Sequence, residues 1–261
     1  MSLKLWSALT FNTGVKVASS GCLITFVGAG GKTSSISCLA RELKEKRLLI
    51  TTTTHFFRFA GFAHTEFLAD EKEQMMDRLA AIWEDSPGET VVVGSRIAAK
   101  IGSRYKVKGI PADWVDLVKE SFPGLVILVE GDGSAGKPVK APAGYEPVVP
   151  AATDIIVPVL GMSGLGANID SKNVHRLEQV KALAGRGKII SKELFASILI
   201  DDAGYGRLRD EDSLYIPLLN QVDPSNISDA TRIAQRLVAR GIDRVILAAV
   251  QDDKPVKKIV I

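Results

Sequence analysis

Cysteine is nearly absent: Cys22 and Cys38 are the two in 261 residues. Two thiols build no disulfide framework, and they fall on an expected strand and helix, so buried, reduced side chains are anticipated. No third Cys or His stands near them in sequence, so a Cys/His metal site is not expected. No segment approaches the roughly 18 unbroken apolar residues a membrane helix needs, and no long apolar run follows a basic patch at the start, so no membrane partner is expected and a soluble, cytoplasmic protein is. Charge of one sign is not in excess. Lys and Arg total 33 against 30 Asp and Glu, a net +3, too balanced for nucleic acid to be the main partner. Repeats and low-complexity tracts are missing as well.

What is present is ordinary globular material: 46% apolar and 24% charged residues, enough for a sizeable core and against disorder. Short continuous apolar runs at 22–27, 48–52, 91–93, 125–129, 155–160, 215–219 and 245–250 read as strands covered on both faces. Helical periods lie between them, at 36–43, 71–83, 111–122, 174–183, 191–199 and 228–240. This alternation predicts an α/β, three-layer fold with a mostly parallel central sheet, in one domain over 1–261. Two irregular, Gly-rich stretches, near 131–150 and 161–173, are expected to be functional loops. A basic run, Arg96, Lys100, Arg104, Lys106 and Lys108, reads as a solvated surface segment, with an anion-attracting loop as the alternative.

The strongest local signal is a strand, then Gly28-Ala29-Gly30-Gly31-Lys32-Thr33-Ser34, then a helix. Glycines let successive N–H groups converge on an anion, and the helix start adds its positive dipole end. Lys32 would reach the outer phosphates of a nucleotide, and Thr33 would present its hydroxyl to Mg²⁺. The pattern G-x-x-x-x-G-K-[ST] calls for Gly at position 26, where this chain has Phe26.

A Mg²⁺-nucleotide site needs a carboxylate at a neighbouring strand end. The run 125–129 leads into Glu130-Gly131-Asp132-Gly133, so Glu130 and Asp132 are the candidate catalytic and metal-binding acids beside Lys32 and Thr33. Ser134, Lys137 and Lys140 follow and could neutralise phosphate charge. Thr54 and His55 end the strand of the Thr51-Thr52-Thr53-Thr54-His55 run, where α/β sheets face their ligands. His175 and Arg176 open a later helix. Asn220-Gln221-Val222-Asp223 echoes the N-K-x-D guanine reader, with Asn220 and Asp223 as base contacts and Gln221 in the lysine position.

In order and spacing, VGAGGKT at 27–33, TTTTH at 51–55, VEGDGSAGKPVKAP at 129–142, EPVVP at 146–150 and Val174-His175-Arg176 resemble the YqeC family of selenium-dependent hydroxylase accessory proteins. The resemblance implies a P-loop NTPase-like fold with ATP or GTP and Mg²⁺ as ligands. It also implies a place in maturing a selenium-dependent molybdenum hydroxylase, with the molybdenum cofactor or a selenium species and the apo-hydroxylase as partners. Three readings are open: an NTP hydrolase, with 51–55 and 133–142 as switch segments; a small-molecule kinase or nucleotidyltransferase; and a non-catalytic, nucleotide-gated cofactor chaperone.

Overall fold

Apolar runs too short for helices, bounded by Gly and Pro, stack here into a ten-stranded sheet. The structure is a computed structural model that describes residues 3–11, 21–57, 59, 61–102 and 104–261. The strands are β1 (Cys22–Gly28), β2 (Leu48–Thr52), β3 (His55–Phe57), β4 (Thr65–Leu68), β5 (Thr90–Gly94), β6 (Arg96–Ile101), β7 (Arg104–Lys108), β8 (Val126–Glu130), β9 (Val139–Lys140), β10 (Ile155–Gly161), β11 (Val174–His175), β12 (Leu214–Tyr215), β13 (Leu218–Asn220), β14 (Val245–Ala248) and β15 (Val256–Val260). The helices are α1 (Leu5–Thr10), α2 (Lys32–Glu42), α3 (Lys72–Asp85), α4 (Ala112–Ser121), α5 (Leu177–Ala184), α6 (Lys192–Ile200) and α7 (Ile227–Val238).

The main sheet runs β15-β14-β13-β10-β1-β8-β2-β5-β4, with β12 beside β10. All its pairings are parallel except β14 with β15. Strand pleating sends alternate side chains to opposite faces. Ile24 and Phe26 of β1 therefore join α1 and α2 in one apolar cluster. Leu23 turns to the α3 and α4 side, and Val27 to the side of α5, α6 and α7. The result is the expected three-layer arrangement, with β1 near the centre of the sheet and β8 against it.

Three local expectations change. The apolar run 215–219 is split into β12 and β13 at Pro217, which has no N–H to donate to the ladder. The pattern read as a helix from 174 starts as β11, paired in parallel with β9, and α5 begins only at Leu177. The basic run forms the β6–β7 hairpin, which with β3 makes a separate antiparallel sheet. Its solvated character holds along β6, exposed throughout, whereas Lys106 is half-buried.

Candidate functional site

The strand β1 ends at Gly28, and the chain turns sharply into α2. Gly30 and Gly31 both have positive φ, 77° and 134°. A Cβ on Gly30 would lie 2.2 Å from the Gly161 nitrogen, and one on Gly31 would lie 2.1 Å from Asn220 Nδ2. Only glycine fits there. Phe26, standing where the longer loop pattern has its first Gly, is instead a fully buried strand residue. The loop is correspondingly short.

That shortness changes the expected cradle. The Ala29 N–H donates to Val159 O at 2.8 Å and the Gly30 N–H to Lys137 O at 3.0 Å, so neither is free for an anion. Among the described residues, the N–H groups of Gly31, Lys32, Thr33 and Ser34 have no hydrogen-bond acceptor. Four free amides at the start of an 11-residue helix, with its positive dipole end, could hold an anion.

Around these amides the charged side chains are tied together. Lys32 Nζ donates to Gly28 O at 2.6 Å and lies 3.3 Å from Asp132 and 3.6 Å from Glu130. The Thr33 hydroxyl donates to Glu130 Oε2 at 2.9 Å. Burial pushes the Glu130 carboxyl above its ordinary range, opposed by Lys32 and the Thr33 hydrogen bond. Thr33 and Glu130 are adjacent hard oxygen donors, a pair suited to Mg²⁺. Among the described residues no cluster of three or more His, Cys, Asp or Glu could hold a metal alone.

Asp132 does something different. It is fully buried, and both of its oxygens are engaged. Oδ1 accepts from the Gly28 N–H at 2.9 Å; Oδ2 accepts from Lys140 Nζ and Tyr205 OH, both at 2.8 Å. Lys140 Nζ also reaches Glu146 at 3.0 Å and donates to Gly133 O at 2.7 Å. Glu146 in turn accepts from Arg176 Nε at 2.7 Å. Lys140, Arg176 and the Ala143 N–H hold its carboxyl below the usual range, though its burial acts the other way. Tyr205 keeps its proton, because burial and the Asp132 charge push its phenol well up. A continuous chain of alternating charges thus runs Lys32, Asp132, Lys140, Glu146, Arg176.

Of the expected site residues, Gly30, Gly31, Lys32, Thr33, Ser34, Thr54, His55, Glu130, Ser134, Lys137, His175 and Arg176 line one cavity of about 970 Å³. Gly28, Ala29, Asp132 and Lys140 are buried and do not line it. Asn220 is buried too. Its Nδ2 donates to Gly30 O at 2.9 Å and its Oδ1 accepts from the Val250 N–H at 3.2 Å, so it braces the loop. Asp223 is not in the cavity: its carboxylate accepts from the N–H and hydroxyl of Ser225 and from the Asn226 N–H, closing the turn before α7. Those hydrogen bonds hold its pKa below the ordinary value. The expected base contacts at Asn220 and Asp223 are thus engaged in structural hydrogen bonds.

The threonine run is a set of ties. Thr51 donates to Val93 O at 2.8 Å, Thr52 to Glu130 O at 2.6 Å and Thr53 to Val148 O at 2.7 Å. Thr52 fixes the end of β2 to the Glu130 strand end, while Thr51 ties it to β5 and Thr53 to Val148, and Thr54 and His55 follow on the cavity wall. His55 has its pKa lowered by burial and by Lys106 and Lys108. His175 has its pKa lowered by burial, then by Lys140 and Arg176, with Glu146 and Asp132 opposing.

With this geometry in view, residues 24–178 match the family described as YqeC protein. The chain belongs to the YqeC family. It is similar to "Uncharacterized protein YqeC" of Escherichia coli (strain K12), 33% identical over 181 residues, which cover 69% of this chain and 66% of that protein. The chain therefore spans just under two thirds of that relative's length. No solved structure matches.

The stretch matched to the YqeC family holds the loop, Glu130, Lys140, Glu146 and Arg176, while Tyr205, Asn220 and Asp223 lie beyond it. Glu146, Tyr205 and Tyr145 had no site role from sequence alone, and Lys106 had one only through the anion-attracting alternative for the basic run. Glu146 had a signal, since it opens the EPVVP motif; Tyr205, 73 residues from the Asp132 it contacts, had none. Cys22 and Cys38 are both free and buried, as anticipated.

Proposed function

We propose that this YqeC-family chain binds a Mg²⁺-nucleoside triphosphate at the start of α2 and hydrolyses it, as an accessory factor in maturing a selenium-dependent molybdenum hydroxylase. The observation that carries the chemistry is the set of four free amides, Gly31 to Ser34, with Lys32 and the Thr33–Glu130 pair beside them at one cavity. The pathway rests on the family resemblance.

In this reading the α2 amides hold a polyphosphate and Lys32 exchanges Gly28 O for a phosphate oxygen. Thr33 and Glu130 hold Mg²⁺, which supplies neutralisation of phosphate charge when bound. Asp132 keeps the loop in place from below through the Gly28 N–H and takes no metal, because its oxygens already serve four groups: the Gly28 N–H, Lys32, Lys140 and Tyr205.

Calorimetric titration with Mg²⁺-ATP and Mg²⁺-GTP, paired with phosphate release, tests this. Wild type should bind at least one and release phosphate, and Lys32→Met should weaken binding by at least 100-fold. Wild-type affinity in a folded Lys32→Met variant would remove the cradle from the account.

A further inference from the structure

The anion cradle occupies one end of its cavity, and the remaining wall carries charge that the protein leaves unmatched. Lys106 and Lys137 are half-buried cavity-lining residues, and neither forms an ion pair among the described residues. The acids that line the same cavity, Glu130 and Glu146, are already paired: Glu130 with Lys32, and Glu146 with Lys140 and Arg176. The two lysines therefore give the cavity an uncompensated positive charge, which favours an anion.

Backbone strain concentrates at the same place. Among the described residues the non-glycine positions with positive φ are Ala135, Arg176 and Gln221, at 51°, 62° for Gln221 and 61° for Arg176, and all three line this cavity. Such conformations are costly for side-chain-bearing residues and gather at ligand sites. At Arg176 the strained backbone is held by the buried chain through Glu146 and Lys140. The guanidinium carbon lies 5.2 Å from the centre of the Tyr145 ring, and Tyr145 is 71% exposed at the cavity rim. An exposed aromatic ring beside a guanidinium is a stacking platform for a flat ligand.

We infer that this wall binds a second ligand next to the nucleotide: a small planar aromatic molecule carrying an anionic group. Lys106 and Lys137 take the anion, and Tyr145 with Arg176 takes the ring. This deepens the proposed function by giving the nucleotide site a co-substrate class, and rests on that reading only for what fills the cradle.

The test uses phenyl phosphate as probe, titrated calorimetrically into the full chain saturated with Mg²⁺ and the non-hydrolysable ATP analogue that has an imido bridge. The expected result is one further site. Lys106→Ala, Lys137→Ala and Tyr145→Ala should each weaken it by about ten-fold while the thermal midpoint stays at the wild-type value. Lys→Gln versions serve where alanine impairs folding. Displacement of the probe by the analogue, absence of probe binding, or wild-type probe affinity in both lysine variants would overturn the inference. If the analogue fails to bind but the probe binds with the same pattern of variants, the second site stands and the nucleotide reading falls.

Discussion

Asp132 and Lys140 form an ion pair at 2.8 Å with neither side chain reaching solvent. A pair so placed is tolerated because every remaining valence is met: Tyr205 and the Gly28 N–H on the aspartate, Gly133 O and Glu146 on the lysine. It links the glycine loop to the far wall of the cavity, since Gly28 belongs to the former and Glu146 holds Arg176 on the latter.

Lys140→Met should therefore destabilise the fold by about 3–5 kcal/mol, the cost of leaving buried charge uncompensated. Urea denaturation with an unchanged m-value checks it. The double variant Asp132→Asn with Lys140→Met should recover part of the loss, because no lone charge remains on that pair. A Lys140→Met protein as stable as wild type would contradict the buried chain.

Tyr205→Phe removes one hydrogen bond to a buried carboxylate, an interaction worth about 1.5–3 kcal/mol. Combined with Lys140→Met, its effect should be non-additive, since both donors serve Asp132 Oδ2. A double-mutant cycle in denaturant reads the coupling; simple additivity would mean the two donors act on Asp132 independently.

Acid should weaken the fold in two stages. The folded-state pKa of His175 lies below its ordinary value, so the unfolded chain binds more protons there. Its contribution is present above pH about 6.5 and is lost as pH falls through the lowered folded value. Glu146, also lowered, contributes above the usual carboxylate range and loses that contribution at still lower pH. Glu130 is raised and acts with the opposite sign, its contribution being lost as pH rises. With thermal midpoints measured from pH 8 to pH 5, His175→Gln should change the pH dependence of the wild type in the direction of less loss on acidification, leaving the opposite trend of Glu130 more visible. An unchanged slope would remove His175 from that dependence.

Native thiol reactivity should be low. Burial pushes Cys22 up to about 12 and Cys38 up to about 11, so neither supplies thiolate at neutral pH. Ellman's reagent should find both thiols only after denaturation. Rapid reaction of either in the native state would contradict the packing of β1 and α2.

Much of the fold was legible because the strands of the main sheet are apolar on both faces, as in 22–27 and 48–52, and need no context to be recognised. Pro217 and Arg176 mark where that legibility ends: one interrupts a ladder that hydropathy alone reads as continuous, and the other has a left-handed backbone held by a distant glutamate. At the site, Lys32, Thr33 and Glu130 come together as their strand and helix ends require. The roles of Asp132 and Asn220 were not legible, because a carboxylate facing a metal and one buried under a loop look the same in sequence. Their partners, Tyr205 and Val250, come from parts of the chain that carry no motif.

The central claim is that the first amides of α2 grip a polyphosphate. Backbone amide resonances of isotope-labelled protein, followed as a Mg²⁺-bound non-hydrolysable triphosphate is added, test it most directly. The amides of Gly31, Lys32, Thr33 and Ser34 should shift strongly, while those of Ala29 and Gly30, already donating to Val159 O and Lys137 O, should move little. Unmoved resonances from Gly31 to Ser34 at saturating ligand would contradict the account.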